Sequence, residues 1–571
     1  MKNVLKFENS PYLKQHKDNP VQWQTWTVEN LNFAKKEKKP ILLSVGYSSC
    51  HWCHVMAHES FEDKETADIM NKYFLNIKVD REERPDLDFV YQNAYSIFNN
   101  SGGGWPLTMF LDENSVPFFA GTYFPIVEKN GLPSFKNILK KVGETYSEQR
   151  NKIISQAPLV IKSLELKKTS VLNQDLIEIL ELTIKNLDEN KGGFKGSPKF
   201  PTFHVFDTLL YFYNKTKKEN YLKPLELLLK QLCSQGIYDH VEGGISRYTV
   251  DENWLIPHFE KMLYDNAQFV LLLSKFIKIK ANDYYKKKLF QTISFINKNF
   301  INGNNNLLGS AYDADSDGEE GKYYVFSYDE IKDLKNIEKY FDISKAGNWE
   351  GKIILREITP APNELINSLY QLRKKKIKPF FDSKNQLDLN CIWISALVSS
   401  HKVMPKDGFL ADAEKLFENL EKFLLNKGIR HTNSNSCVFI EDYAYLINCL
   451  LDLFEQTLNP KYRLKALEIA KEAINKFYIK EKKIFQKNTL STSDLFYKPI
   501  DISDHTISNG NSVMLLNLTR LGFKKEAQEL TNSLNGYLNI YKSFMLSGVK
   551  AIDYFNAISS GKNCGPDGCS L

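Results

Sequence analysis

Residues 40–54 read PILLSVGYSSCHWCH, a stretch that joins an apolar run to two closely spaced cysteines. The apolar run at 40–46 has no helical period, so it is predicted to be a buried β-strand. Residues 54–61 have helical character. A CxxC pair at a helix N-terminus exposes its first sulfur to unpaired backbone N–H groups and to the positive end of the helix dipole, which lowers the thiol pKa. The stretch therefore predicts a strand–CxxC–helix unit that favours a thiolate.

The two sulfurs have different predicted roles. Cys50 is the expected attacking sulfur, and Cys53 is the resolving sulfur that closes a disulfide after attack. Protonated His51 or His54 would lower the pKa of Cys50 further. Paired cysteines in a reducing compartment suggest redox or metal chemistry rather than a structural disulfide framework.

The same residues also fit two other kinds of site. CxxCH is the pattern for covalent haem c, with His54 as an axial ligand. Zinc would use Cys50, Cys53 and two of His51, His54 and His58. Haem c normally requires export, and zinc sites usually take ligands from a second knuckle, whereas the other cysteine pair lies at the far end of the sequence. We expect no cofactor and no metal, with both sites kept as alternatives.

The first 125 or so residues alternate strand and helix signals. Further strands are predicted at 74–80 and 107–111, with a fourth at 117–124, and a helix at 86–97. Alternating strands and helices indicate an α/β unit with a central sheet. Residues 127–168 are charged, with helical patches and little strand character, and are predicted to form a connector. The first domain is accordingly placed at 1–165.

Beyond the connector the hydrophobic period becomes helical. Helices are predicted at 176–187, 203–213, 221–237, 259–279, 284–300, 390–403, 411–425, 442–456, 462–477, 513–521 and 524–534. Helices arriving in pairs suggest a closed α/α toroid or a helical solenoid. No sequence unit repeats at a fixed period, which favours the toroid. This domain is placed at 166–557, followed by a tail at 558–571.

Polar residues at predicted helix ends are candidates for a cleft in the toroid. His258, Lys261 and Asp265 have the spacing i, i+3 and i+7 of one helix face, where they would hold a polyol or transfer a proton. The alternative is helix capping with an exposed stripe of charge. Glu441 and Asp442 open another helix, where they also complement the helix dipole.

A carboxylate pair for sugar hydrolysis would come from Asp265, Asp313, Glu441 and Asp442. The segment DADSDG at 313–318 resembles the start of a calcium loop, but its twelfth position is Tyr324 instead of Glu, so an EF-hand is rejected. A solvated acidic turn remains an alternative for this segment.

Nine motifs together resemble a known family. They are SPYLKQH (10–16), NPVQW (19–23), CHWCHVM (50–56), KVDREERPD (78–86), GGWPL (103–107), GTYFP (121–125), GGFKGSPKFP (192–201), GGISRY (243–248) and PHFEKMLYDNA (257–267). The sequence resembles the thioredoxin-domain (DUF255) family that includes bacterial YyaL-type proteins and spermatogenesis-associated protein 20. The resemblance implies an N-terminal thioredoxin-like domain and a six-hairpin (α/α)6 toroid similar to N-acylglucosamine 2-epimerases and related glycosidases.

The resemblance also implies site residues. It adds Arg247, Tyr248, Glu260 and Asn390 to the cleft candidates and places Asp313 and Asp315 in a loop that lines the cleft. A thioredoxin-type fold carries a cis-proline facing the disulfide, and Pro106 has the matching position before a strand.

One departure concerns proton handling. Thioredoxins have a buried Asp where Ser44 stands in this sequence, so the usual carboxylate is missing.

The C-terminal tail carries a second pair of thiols, Cys564 and Cys569. As a hypothesis, this pair exchanges electrons with Cys50 and Cys53. An unpartnered role in a Gly/Pro-rich tail is the alternative.

Composition limits the partners. Lys and Arg number 75 against 69 Asp and Glu, which leaves a net charge of +6 and no electrostatic footprint for nucleic acid. No apolar run reaches the 18 or so residues of a membrane span, and the first residues lack a signal-peptide core, so a cytoplasmic protein without membrane contact is expected.

Three functions are consistent with the sequence. The first is a thiol–disulfide oxidoreductase acting on a protein or a small-molecule thiol or disulfide. The second is a sugar epimerase or hydrolase in the toroid, with a carbohydrate ligand and redox regulation. The third is a binding scaffold that responds to redox state without turnover.

Overall fold

The computed structural model describes residues 1–129, 131–167, 175–434, 437–562 and 564–569. The chain forms two compact units. Unit 1 comprises Met1–Leu166, His431–Phe439 and Gln486–Ile500, and unit 2 comprises Lys167–Arg430, Ile440–Phe485 and Asp501–Leu571. Two later segments therefore belong to the N-terminal unit, which the single predicted boundary after residue 165 did not anticipate.

Unit 1 is built on a four-stranded sheet. Its strands are β1 (Ile41–Gly46), β2 (Leu75–Asp80), β3 (Leu107–Leu111) and β4 (Pro117–Gly121), in the order β2-β1-β3-β4. β1 runs parallel to β2 and antiparallel to β3, and β3 runs antiparallel to β4. Every residue of β1, β2 and β3 is buried, which agrees with the largely apolar sequences of β1 and β3. β2 also buries the polar side chains of Asn76, Lys78 and Asp80.

Helices cover the sheet of unit 1. They are α1 (Pro11–Gln15), α2 (Val28–Glu37), α3 (His51–Met56), α4 (Lys64–Tyr73), α5 (Pro85–Asn99) and α6 (Phe135–Ser163). A π-helical turn, Ala57–Phe61, continues α3. The helical patches predicted at 127–168 form α6, which is kinked at Gln149. The interpretation of this stretch as a connector is wrong for the part of α6 before the kink, because that part has a buried apolar face. The charges seen in sequence lie on the opposite, exposed face.

The two later segments of unit 1 are held by the charged motif after β2. Arg84 forms ion pairs with Asp86 at 2.9 Å and with Asp494 at 2.8 Å. His431 Nε2 lies 2.9 Å from the carbonyl oxygen of Glu82. The motif at 78–86 therefore has a structural function inside this unit.

Unit 2 is built around a closed inner ring of six helices. The inner helices are α8 (Phe203–Thr216), α10 (Leu263–Ile279), α15 (Leu387–His401), α17 (Ile440–Thr457), α19 (Gly510–Leu521) and α21 (Leu546–Ser559). Each inner helix packs on the next in chain order, and α21 packs back on α8, which closes the ring. α15 and α10 are buried around most of their circumference, as expected of inner helices.

The outer layer pairs with the inner ring. Its helices are α7 (Leu176–Lys185), α9 (Glu219–Ser234), α11 (Asp283–Asn299), α16 (Phe409–Leu420), α18 (Pro460–Phe477) and α20 (Lys524–Tyr541). Five of them follow their inner partner in sequence, and α7 packs on α21. The unit is the predicted (α/α)6 toroid. Residues between the pairs form α12 (Tyr328–Ile331), α13 (Ile337–Tyr340) and α14 (Asn363–Arg373).

Short strands occur in the loops of unit 2. They are β5 (Lys261–Met262), β6 (Ala311–Tyr312), β7 (Asp315–Ser316), β8 (Glu319–Glu320), β9 (Phe381–Asp382), β10 (Tyr478–Ile479), β11 (Ile484–Phe485), β12 (Cys564–Gly565) and β13 (Gly568–Cys569). β5, β6 and β9 form one small antiparallel sheet, and β7 pairs with β8. Among the described helices, none combines the length and apolar character that crossing a bilayer takes.

Asn390 fixes a loop to the inner ring. Its side-chain oxygen accepts the Leu308 N–H at 2.9 Å, and its amide donates to the carbonyl oxygens of Leu308 at 3.0 Å and Gln386 at 2.8 Å. The residue is fully buried. All of these contacts are with main chain, so the structure gives the side chain a structural function where a ligand contact was predicted.

Asn390→Ala is expected to destabilise unit 2 by about 2 kcal/mol, because it leaves the buried Leu308 N–H without its acceptor. The measurement is calorimetric unfolding of the full chain. Gln528→Ala, an exposed amide on α20 that bonds Asn532, is the control and should change stability little. Equal unfolding curves for both variants would contradict this function of Asn390.

Candidate functional site

The CxxC pair begins helix α3 at the end of strand β1. Cys50 is the N-cap residue of α3, and its Sγ accepts the Cys53 backbone N–H at 3.3 Å. Cys50 and Cys53 are joined as a disulfide, with their Cα atoms 5.2 Å apart. Because the first turn of a helix directs unpaired N–H groups at its N-cap, the sulfur of Cys50 occupies an anion-stabilising position.

Both cysteines are buried in this structure. Cys50 is 3% exposed and Cys53 is 1% exposed. A Cβ atom added at Gly46 would lie within 3.0 Å of Cys53 Sγ and of Tyr12 Oη, so only glycine fits at the end of β1. Little of either cysteine is therefore open to solvent in the disulfide form.

His51 and His54 lie in the first turn of α3 and are partly exposed. His51 stacks edge to face with Trp52 at 5.7 Å between ring centroids. His58 is on the surface, where its Nδ1 lies 3.0 Å from Glu62. In the disulfide form neither sulfur is available as a thiolate for zinc or as a thioether link to haem.

The loop before β3 carries the predicted cis-proline. The Trp105–Pro106 peptide bond is cis, which confirms the prediction for Pro106. Leu107 pairs with Val45 across β1 and β3, so the proline is level with the end of β1, where the CxxC loop begins. The Trp105 ring lies 5.7 Å from the Tyr47 ring in an edge contact.

Charged and aromatic side chains fix this loop. Asp88 on α5 accepts from Trp105 Nε1 at 2.8 Å and from Arg81 Nε at 3.1 Å. The Arg81 guanidinium lies over the Trp105 ring at 4.0 Å. These contacts hold a cation and an aromatic ring at the CxxC end of the sheet.

A second aromatic pair follows the first cysteine. Trp52 is 49% exposed and lies 5.2 Å from the Tyr123 ring. The Tyr123 hydroxyl donates a short hydrogen bond to Glu59. An exposed tryptophan thus lies between the two cysteines of the CxxC pair.

Lys78 occupies the buried space beside Ser44. Its Nζ donates to Ser44 Oγ at 3.0 Å and lies 4.4 Å from the Phe61 ring centroid. Burial lowers the pKa of the Lys78 amine well below its ordinary range. The sequence analysis noted the missing carboxylate at Ser44 but not this lysine, because β1 and β2 bring positions 44 and 78 together only in the fold.

In unit 2, five predicted residues lie near the start of α10. Arg247 donates to Glu260 at 3.1 Å, and Asp265 lies in the first turn of α10. Burial raises the pKa of Asp265 well above its ordinary value; Arg247 opposes this rise and Glu260 adds to it. Tyr248 lies 4.9 Å from the His258 ring. The result is a buried group with a guanidinium, a carboxylate and an acid whose pKa is raised by burial.

The predicted shared helix face of His258, Lys261 and Asp265 is wrong. α10 begins only at Leu263, so His258 is in extended chain and Lys261 is in β5. His258 Nδ1 lies 2.7 Å from Glu320 of β8. Lys261 instead donates to Asp239 at 2.6 Å, inside a fully buried ion cluster.

The acidic loop lies beside this group through the β7–β8 hairpin. Asp315 pairs with Glu320, the partner of His258. Asp313 is buried and accepts the Asp315 N–H at 3.1 Å. Glu441 and Asp442 are both buried in the first turn of α17.

A cavity of about 80 Å³ is lined by side chains of four inner helices, and the sequence analysis did not identify it. Its polar lining includes His204, Gln268 and Tyr445. His204 Nδ1 is buried and meets no hydrogen-bond partner among the described residues. His204 lies in an apolar helical segment of the sequence, so the hydrophobic periodicity predicts a core residue at this position.

The C-terminal tail folds back on unit 2. The backbones of Cys564 and Cys569 pair across β12 and β13. Asp567 at the hairpin tip forms an ion pair with Lys275 at 2.9 Å. The side chains of both cysteines lie outside the part that the structure describes, so their predicted exchange with Cys50 and Cys53 stays a prediction.

Comparison with known proteins identifies the family. A family model described as "Protein of unknown function, DUF255" matches residues 2–165. An uncharacterized protein from Caenorhabditis elegans, B0495.5, is 31% identical over 94% of this chain and 82% of its own length. Spermatogenesis-associated protein 20 from Homo sapiens is 31% identical over 79% of this chain and 67% of its own length.

The chain belongs to the thioredoxin-domain (DUF255) family of spermatogenesis-associated protein 20. This confirms the resemblance found in the motifs. Two solved structures resemble the chain more distantly. Cellobiose 2-epimerase from Bacillus thermoamylovorans has 13% identity and a TM-score of 0.43, covering 64% of this chain and 86% of its own. A D-mannose isomerase has 11% identity and a TM-score of 0.43, covering 67% and 97%.

Lys78 makes the stability of the folded chain depend on pH. The unfolded chain keeps a lysine protonated up to about pH 10, whereas burial lowers the pKa of Lys78 in the folded chain. Folding at neutral pH therefore carries a penalty that declines as the pH rises. We expect the melting temperature of Lys78→Met, minus that of the wild type, to decrease between about pH 7 and pH 10.

Thermal unfolding in a pH series measures this difference. Lys36→Met, on the exposed side of α2, is the control and should give a constant offset. A pH-independent difference for Lys78→Met would show that the Lys78 amine carries no such penalty.

Proposed function

We propose that unit 1 catalyses thiol–disulfide exchange through Cys50 and Cys53. The observation that carries the proposal is the position of Cys50 as N-cap of α3, with its sulfur bonded to Cys53 and accepting the Cys53 N–H at 3.3 Å. A sulfur in this position is stabilised as a thiolate, which is the form that attacks and the form that leaves.

The exchange proceeds in two balanced steps. A substrate thiolate attacks Cys50 Sγ, forms a mixed disulfide and releases Cys53 as a thiolate or, with a proton, as a thiol. A second substrate thiol loses its proton and attacks the substrate sulfur, which forms the substrate disulfide and releases Cys50 as a thiolate. Two electrons pass from the two substrate thiols to the Cys50–Cys53 pair, and the reverse sequence oxidises the pair.

The surroundings favour slender substrates. Cys50 is only 3% exposed, whereas its neighbour Trp52 is 49% exposed. A small-molecule thiol or an extended chain end reaches such a sulfur more readily than a disulfide inside a folded protein. Trp52, Trp105 and the Arg81 guanidinium offer such a ligand apolar and cationic contacts.

Cys50→Ser is expected to abolish dithiol exchange, lowering the rate at least about 100-fold, because it removes the only sulfur at the helix N-terminus. The measurement is oxidation of dithiothreitol and of reduced glutathione by the full chain, with insulin reduction as a protein substrate. Cys233→Ser is the control, since this buried thiol has its pKa raised to about 12 by burial. Equal rates in wild type and Cys50→Ser would contradict the proposal.

The second candidate function is carbohydrate binding by the toroid. Asp265 favours it, because its buried Oδ2 meets no hydrogen-bond partner among the described residues, and burial raises the pKa of its carboxyl, which favours the neutral form. An O–H donor beside the Arg247–Glu260 pair can bind a sugar hydroxyl. The cavity at His204 has room for several water-sized groups.

Mannose, cellobiose and N-acetylglucosamine are suitable probes in a thermal-shift screen. A bound sugar raises the melting temperature in proportion to the logarithm of its concentration. We expect Asp265→Asn, which remains a neutral donor, to keep the shift and Asp265→Ala to lose at least about half of it. If the wild type shows no shift at a sugar concentration about 100 times a millimolar dissociation constant, these sugars are excluded as ligands.

A further inference from the structure

The hydroxyl group of Tyr12 lies beside the resolving sulfur. Tyr12 Oη and Cys53 Sγ each come within 3.0 Å of the point where a Cβ of Gly46 would stand, so the two atoms are neighbours across that glycine. Tyr12 has no solvent exposure. Within the described ranges, nothing accepts a hydrogen bond from Tyr12 Oη.

The N-terminal segment holds this hydroxyl in place. Ser10 caps helix α1 by accepting the Leu13 N–H at 3.2 Å, and its own hydroxyl donates to Asp80 at 2.6 Å. Asp80 ends strand β2, and Pro11 begins the helix. Tyr12 is therefore anchored to the same end of the sheet as the CxxC pair, with its ring packed edge to face on His16 at 5.2 Å.

An unpartnered buried hydroxyl destabilises the state in which it is unpartnered. In the disulfide form, Cys53 Sγ is bonded to Cys50 and is a poor acceptor. After reduction, the same sulfur is a thiol or thiolate that is free to rotate and accepts hydrogen bonds more strongly. The hydrogen bond is thus available mainly in the reduced form.

We propose that Tyr12 is a positioning residue whose hydroxyl donates a hydrogen bond to Cys53 Sγ in the reduced site and thereby shifts the Cys50–Cys53 couple toward the dithiol. The inference rests on the proposed exchange function and assigns the group that stabilises its leaving sulfur. Tyr12 does not transfer its proton: burial raises the pKa of its phenol well above the ordinary value, and Asp80 raises it further.

Tyr12 neither gives nor takes electrons when glutathione reduces the Cys50–Cys53 disulfide. Two glutathione thiols supply two electrons and two protons, the Cys50–Cys53 bond breaks, and glutathione disulfide forms. Cys53 Sγ leaves when the first glutathione attacks Cys50, and the Tyr12 hydroxyl stabilises the negative charge that develops on that sulfur. Lys78 Nζ lies 5.1 Å from the Tyr12 ring centroid.

The test is the equilibrium constant of the couple with glutathione in the full chain. Tyr12→Phe keeps the ring contacts and removes only the hydroxyl. We expect this variant to form the dithiol about tenfold less readily, which corresponds to a potential about 30 mV more negative. Its oxidised form should melt at the same or a higher temperature than the wild type, and its reduced form at a lower one.

Tyr91→Phe is the matched control. Tyr91 is equally buried in unit 1, but its hydroxyl donates to the Ser115 carbonyl oxygen at 2.8 Å. Its loss should destabilise both redox states alike and leave the glutathione equilibrium unchanged. A purely structural function of Tyr12 would give the same result as Tyr91→Phe, and that would overturn the inference.

A second variant tests the same hydrogen bond without removing it. 3-Fluorotyrosine at position 12 has a more acidic hydroxyl and is a stronger donor, so it should shift the equilibrium toward the dithiol, opposite to Tyr12→Phe. No shift in either variant, with a normal wild-type couple, overturns the Tyr12 inference alone. A wild type that forms no reversible couple with glutathione, like Cys50→Ser, overturns the exchange function itself.

Discussion

The hydrogen bond from the Cys53 backbone N–H to Cys50 Sγ is the contact on which the proposed chemistry depends. This bond forms because the fully buried strand β1 ends at Gly46 and residues 47–50 lead into helix α3. The first N–H groups of a helix have no partner within the helix. The strand must end at glycine, since Cys53 Sγ and Tyr12 Oη occupy the space of a side chain there. The glycine at the end of β1 therefore helps to fix the position of the CxxC pair relative to the sheet and to helix α3.

The polar groups behind the disulfide differ from the arrangement expected of thioredoxins. Ser44 replaces the buried carboxylate, and Lys78 approaches it at 3.0 Å with an aromatic ring beneath its amine. Burial disfavours the charged lysine. The site therefore has a buried amine that donates to Ser44 and a buried phenol whose oxygen lies beside the Cys53 sulfur.

Local patterns were sufficient to predict most of the fold. β3 is predicted to the residue because Leu107 follows a proline and the run is mostly apolar, and five of the six inner helices follow from their helical apolar spacing. The connector was wrong because the buried stripe of α6 is diluted by surface charge. His258 and Lys261 were misplaced because a two-residue strand precedes α10, and such pairing has no local signal. α21, which closes the ring, was missed for its mixed composition.

The residues of the site were predictable where a local motif defines them. Cys50, Cys53 and cis-Pro106 follow from motif and position, whereas Lys78, Tyr12 and His204 depend on contacts between distant segments. Tyr12 and Lys78 lie in stretches of mixed polarity, so their burial beside the CxxC pair is evident only once the fold brings the segments together. Burial of Cys50 likewise depends on packing and not on the motif.

The pH dependence of Cys50 alkylation by iodoacetamide in the reduced, folded chain tests the central claim most directly. Mass mapping assigns the reacting sulfur, and the midpoint of the rate profile gives its pKa. The account predicts reaction at Cys50 with a midpoint well below the ordinary thiol value of about 8.5. A midpoint at or above that value, or no reaction of Cys50 in the folded chain, would contradict it.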